Sequence, residues 1–136
     1  MLRIFCLDDE LVTSGYEQRD QLPKVLAGHD LTLALTLEEA KEKFKPPYDL
    51  MLLDHDLNGQ FNPVGSPNTG LTFIQWMVNI KQPAPLPQVI LHSVSARGRA
   101  AMAQTLEEYG YHYLEYPFSS KYIEFLKASF GLERIA

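Results

Sequence analysis

Short apolar runs recur along this chain, each bounded by polar or turn-forming residues. The runs "LRIFCL", "DLTLALT", "YDLMLL", "PQVILHS" and the weaker "GYHYLEY" predict five strands. Most of them are continuous rather than alternating, which is the pattern of strands covered on both faces. Segments with helical spacing lie between them. Thr36, with Glu39 three residues on, reads as the N-cap of a helix over "TLEEAKEKF". Leu71, Ile74, Met77 and Val78 fall on one face of a second helix. Met102, Leu106 and Tyr109 fall on one face of another, which Gly110 terminates. A last helix lies in "SSKYIEFLKASF", capped by Ser119 or Ser120. The first helix belongs between Leu11 and His29, where Gly15 and Pro23 would shorten or break it. Strands alternating with helices imply an α/β fold, a three-layer sandwich with helices on both faces of a parallel sheet. Five such units fit a flavodoxin-like order 2-1-3-4-5. With no repeat or linker visible, residues 1–136 read as a single domain.

The strand ends carry the chemistry. "LRIFCL" runs into Asp8, Asp9 and Glu10. "DLMLL" runs into Asp54, His55 and Asp56, and "QVIL" into His92 and Ser93. In the order 2-1-3-4-5 strands one, three and four are neighbours, and all their C-terminal ends lie at one edge. Ligands bind at that edge in open α/β sheets. Crowded carboxylates repel one another. A divalent cation such as Mg²⁺ or Mn²⁺ relieves the repulsion and accepts oxygen ligands from Asp8, Asp9, Asp54 and Asp56. His92 and His55 are candidates for general acid and base, because imidazole titrates near neutral pH. His29 in a turn and His112 at the far end of strand five read as structural.

Two further segments bear on this edge. "NGQFNPVGSPNTG" separates strand three from its helix and exceeds the usual loop of about 2–6 residues, so 58–69 is a candidate lid or binding loop. It ends in Thr69 and Gly70, at a helix N-terminus able to face an anion. In "SVSARGRAAM", Ser95 can cap helix four, with Arg97 and Arg99 in the first turn. Cations there oppose the helix dipole, and an anion gripped between them would offset that cost. Ser93, Arg97 and Thr69 are therefore candidates for phosphate binding.

Composition narrows the function. At 46% hydrophobic and 21% charged, the chain is ordinary for a globular protein. A net charge of −5 argues against general adhesion to nucleic-acid backbones or anionic membranes. A small phosphate ester or a single RNA-terminal phosphate stays compatible with it. No apolar run approaches the roughly 20 residues of a membrane helix. "MLRIFCLDDE" does not read as a signal peptide. The lone Cys6, in an apolar run, reads as a buried thiol. Together these predict a cytoplasmic protein.

At these residues the chain resembles a response-regulator receiver domain over nearly its full length. "DDE" from Asp8 matches the receiver's acidic pair, and Asp54 stands where the receiver carries its phospho-accepting aspartate. Asp56 stands where a backbone carbonyl helps to hold Mg²⁺, and Ser93 matches the Ser/Thr at the end of strand four. The Lys-Pro pair after strand five is absent, since "EYPF" puts Tyr116 before Pro117. A narrower resemblance is to the cyclic-phosphate processing receiver-like family. It rests on "LDDE", "LDHDL", "TG" before helix three, and "HS" followed by Gly98 and then Met102. Leu11 and Ser95 depart from that pattern, where the family tends to have arginine and asparagine.

The resemblance implies a metal-dependent hydrolase acting on cyclic phosphates, such as 2′,3′-cyclic ends of RNA or nucleotides. Asp54 would serve as ligand or as nucleophile. The alternative is a signalling or binding module. There Asp54 accepts a phosphoryl group or holds Mg²⁺, and the face of helix four and strand five recruits a protein partner or a second copy. The histidines at 55 and 92 favour the enzyme, because a phospho-switch needs neither. Tyr116 speaks against the switch, because it offers no ammonium to an acyl phosphate.

Overall fold

Five parallel strands form one sheet in the order β2-β1-β3-β4-β5, as the alternation of apolar runs and helices predicts. The strands are β1 (Arg3–Leu7), β2 (Asp30–Ala34), β3 (Leu50–Leu53), β4 (Gln88–Leu91) and β5 (His112–Glu115). The helices are α1 (Leu22–Leu26), α2 (Leu37–Lys43), α3 (Gly70–Met77), α4 (Ala96–Glu108) and α5 (Tyr122–Phe130). This computed structural model describes residues 2–9, 22–57, 66–119 and 121–130. Glu10, Leu11, most of the region expected to hold the first helix, most of the loop after β3, and Ser120 lie outside the described residues.

The period-2 pleat sorts each strand onto two cores. Phe5, Leu7, Met51, Leu53, Val89 and Leu91 face one side, where they meet Ala40 of α2, Phe73 and Ile74 of α3, and Met102 and Leu106 of α4. Ile4, Cys6, Leu50, Leu52 and Ile90 face the other, against Leu22 and Leu26 of α1 and Ile123 and Leu126 of α5. All four residues of β3 are buried, each worth about 1.5–3 kcal/mol relative to exposure. On the α2–α3 side an aromatic cluster fills the space, with Phe5 stacked on Phe73 at 5.3 Å.

The helix ends follow the expected chemistry in most places. The Thr36 hydroxyl accepts from Glu39 N at 3.1 Å, and the Glu39 carboxylate turns back to accept from Leu35 N at 2.8 Å. Gly110 ends α4 with φ +77°, a left-handed conformation that side chains disfavour. Pro23 lies in α1, which spans the five residues Leu22–Leu26, and Gly15 lies outside the described residues. Tyr109 does not join the buried stripe of α4. It is the C-cap and stays 49% exposed, because the helix unwinds there. His29 accepts a hydrogen bond from Leu2 N at 3.0 Å, and His112 is exposed at the start of β5. No helix among the described residues is long and apolar enough to cross a membrane.

Candidate functional site

The register of the sheet builds the site. Leu7 pairs with Leu53, Leu53 with Leu91, and Leu91 with Glu115. One residue further the ladder continues: Asp54 N donates to Leu7 O, His92 N to Leu53 O, and Tyr116 N to Leu91 O, at 2.9–3.1 Å. Asp8, Asp54, His92 and Tyr116 therefore stand in one row across four strand ends. By the pleat they continue the face of Cys6, Leu52 and Ile90, the face that α1 and α5 cover.

Three of the four form a cluster. Donor atoms of Asp8, Asp54 and His92 all lie within 4.8 Å of one another, and all three residues are buried. Burying ionisable groups is costly unless each is hydrogen-bonded or paired. Here His92 Nε2 lies 2.9 Å from Asp8 Oδ2, and His92 Nδ1 lies 3.1 Å from the Tyr122 hydroxyl. The backbone N–H of His55 donates to Asp54 Oδ1 at 2.8 Å. Two carboxylates and an imidazole at this spacing fit a divalent cation. The imidazole moves the preference from Mg²⁺, which favours oxygen, toward Mn²⁺ or Zn²⁺.

This set differs from the four carboxylates expected as ligands. Asp8 and Asp54 belong to it, and His92, expected as a proton-transfer group, stands among the donor atoms. Asp9 is half-buried beside Asp8 and outside the three-residue group. Asp56 is turned to His55, with Oδ1 2.9 Å from its Nδ1, and bridges Thr69 through the backbone.

His55 is placed differently from His92. It is fully buried and packs beneath the first turn of α4, where a Cβ on Gly98 would come within 2.4 Å of its ring. That is the α4 side of the sheet, opposite the face continued by Asp54 and His92. Its Nε2 makes no hydrogen bond among the described residues. A carboxylate at Nδ1 fixes the orientation of the ring, and Nε2 points into the interior.

The residues expected to grip phosphate lie on three separate elements. The buried Thr69 hydroxyl caps α3, accepting from Thr72 N at 3.3 Å. The buried Ser93 hydroxyl accepts from Ser95 N, and Ser95 in turn accepts from Gly98 N, both at 3.1 Å. Arg97 is exposed. Arg99 is not poised for an outside anion: it donates to Ser93 O at 2.6 Å and pairs with Glu115 at 3.4 Å, joining the ends of β4 and β5. Of the two cations in the first turn of α4, Arg99 is thus offset from within the protein.

Tyr122 is the site residue that sequence reasoning missed. Its place in the last helix was legible, but its spacing carries no sign that the hydroxyl reaches a histidine thirty residues away. Tyr116 meets the same helix: its ring stacks on Phe125 at 4.3 Å and tilts against Tyr122 at 5.6 Å.

No curated protein matches the chain. Residues 3–108 match the Cyclic-phosphate processing Receiver domain, a span from β1 to the end of α4 that includes Asp8, Asp54, His55, His92 and Gly98. Tyr116 and Tyr122 follow it. Matched over that span, the chain belongs to the family of cyclic-phosphate processing receiver domains.

Proposed function

We propose that this domain is a metal-dependent phosphohydrolase acting on cyclic phosphates, with 2′,3′-cyclic ends of RNA or nucleotides as the substrate class. The observation that carries the reading is the buried Asp8–Asp54–His92 cluster at the ligand-binding edge of the sheet. An ordinary phospho-switch needs no imidazole among its carboxylates. Asp8, Asp54 and His92 would hold a divalent ion, which supplies positive charge to a phosphoryl oxygen and acidifies water. Opening a cyclic diester adds water to phosphorus and breaks one P–O bond to the ribose. One proton must leave the water and one must reach the freed oxygen. His55, oriented by Asp56 through Nδ1 and with a buried Nε2 that makes no hydrogen bond among the described residues, is the group assigned to that transfer. The backbone N–H of His55 also fixes Asp54 Oδ1, so one residue links the two parts of the site.

The test is chromatography of nucleoside 2′,3′-cyclic phosphates and RNA with a cyclic end, incubated with Mn²⁺ or Mg²⁺ and with EDTA as control. The expected result is metal-dependent conversion to a monoester. His55→Ala should lower the rate by about 10²–10⁴-fold with metal affinity retained, whereas His92→Ala should lose metal affinity. No consumption of any cyclic phosphate with any common divalent ion would sink the enzyme reading. Incubation with acetyl phosphate separates the rival. A long-lived single phosphoryl adduct on Asp54 would favour the signalling module.

A further inference from the structure

We infer that Tyr122 is a positioning residue for the metal cluster, its hydroxyl holding the His92 ring so that Nε2 faces Asp8 and Asp54. The inference rests on the reading of that cluster as a metal site. Two links, one from the segment before α5 and one from its first residue, meet His92 just after β4. Phe118 N donates to His92 O at 2.8 Å, and the Tyr122 hydroxyl meets His92 Nδ1 at 3.1 Å. The Tyr122 ring is fully buried between His92 at 5.3 Å, Phe118 at 4.8 Å and Tyr116 at 5.6 Å, so its direction is set by packing.

The chemistry of a phenol suits this place. With Asp8 ionised and no metal bound, His92 Nε2–H donates to Asp8 Oδ2 and the Tyr122 O–H donates to Nδ1. When Nε2 becomes a ligand it must give up its proton, and neutral imidazole then carries the proton on Nδ1. Nδ1–H donates to the Tyr122 oxygen. A hydroxyl both donates and accepts, so it satisfies either tautomer without moving. A carboxylate or a backbone carbonyl could serve only the second. Partners of this kind behind a ligating histidine typically contribute about 10–100-fold in metal affinity. Tyr122, in α5, lies beyond the matched span 3–108.

Tyr122→Phe keeps the ring and removes the hydroxyl. Calorimetric titration with Mn²⁺ should show affinity about 10–100-fold weaker than wild type. Nitrogen-15 spectra of the histidine rings give a readout that packing alone would not move. In metal-free protein the Nδ1 resonance of His92 should shift on Tyr122→Phe, because its donor is gone. In wild type, adding Mg²⁺ or Zn²⁺ should move the proton from Nε2 to Nδ1. Unchanged affinity together with an unchanged Nδ1 resonance in Tyr122→Phe would overturn the inference. So would an ion that binds without changing the tautomer. If Tyr122→Phe fails to fold, the wild-type tautomer change decides. If wild type binds no ion, the proposed function fails, and the Nδ1 resonance of the metal-free variant still decides the role of Tyr122.

Discussion

At Gly98 a single missing side chain makes room for a histidine. A Cβ there would lie 2.4 Å from His55 Cγ and 2.6 Å from Nδ1, and His55 is fully buried with no space to retreat into. Gly70 has the same role on the next helix: its Cβ would meet the Asp54 carbonyl oxygen at 1.8 Å and the Met102 methyl at 2.9 Å. The glycines of the motif are therefore spacers that let α3 and α4 close over the residues after β3. In an exposed helix Gly→Ala stabilises by about 1 kcal/mol. In Gly98→Ala the overlap with His55 should outweigh that, since overpacking costs about 1–3 kcal/mol. Urea unfolding should show a net loss of up to about 2 kcal/mol, much reduced in a His55→Ala background. A stabilised Gly98→Ala would mean that the packing of α4 on His55 has been misread. In the sequence Gly98 was visible as a motif residue; its reason was not, because the partner lies more than forty positions away.

At the scale of elements, α4 shows how local chemistry and tertiary contact divide the work. Its start is local: the Ser95 hydroxyl accepts from Gly98 N at 3.1 Å, as Ser before a helical pattern predicts. The family tends to have asparagine at this position, and asparagine caps a helix as well as serine does. Ser95→Asn should thus change stability by less than about 0.5 kcal/mol, and Ser95→Ala should cost about 1 kcal/mol, both read from thermal unfolding. Equal losses in the two variants would show that the cap contributes nothing here. The end of α4 is not local. Tyr109 fits the apolar spacing, yet the turn at Gly110 carries it outward. The arginines were the harder reading. Arg97 and Arg99 are equivalent in sequence, both in the first turn, and only the position of β5 separates them. It brings Glu115 to Arg99 and leaves Arg97 in solvent.

Across the whole molecule the decisive feature is the row Asp8, Asp54, His92, Tyr116 along the sheet edge. Two ionised carboxylates in a buried cluster would destabilise the metal-free protein. At an effective dielectric constant of about 20, a like-charge pair at this separation costs roughly 3 kcal/mol, part of it offset by the His92 bond to Asp8. Asp54→Asn keeps the acceptor for His55 N–H and removes one charge. It should raise the stability of metal-free protein by about 1–3 kcal/mol and abolish the gain that wild type shows on adding Mn²⁺. Melting curves with and without the ion check both. A less stable Asp54→Asn in EDTA would show that the charge is compensated without metal. The strands, the parallel order and the acids at the strand ends were legible in the sequence because burial and helix capping are local patterns repeated along the chain. The row itself followed from strand order plus parity once the register was known. What only the tertiary structure decided is which neighbours those residues meet. It turned His92 to Asp8 and Tyr122, turned His55 to Asp56 under Gly98, and gave Arg99 to Glu115. Those partners come from elements far apart in the chain, and no periodicity encodes the direction in which a side chain beyond the end of a strand will find its hydrogen bond.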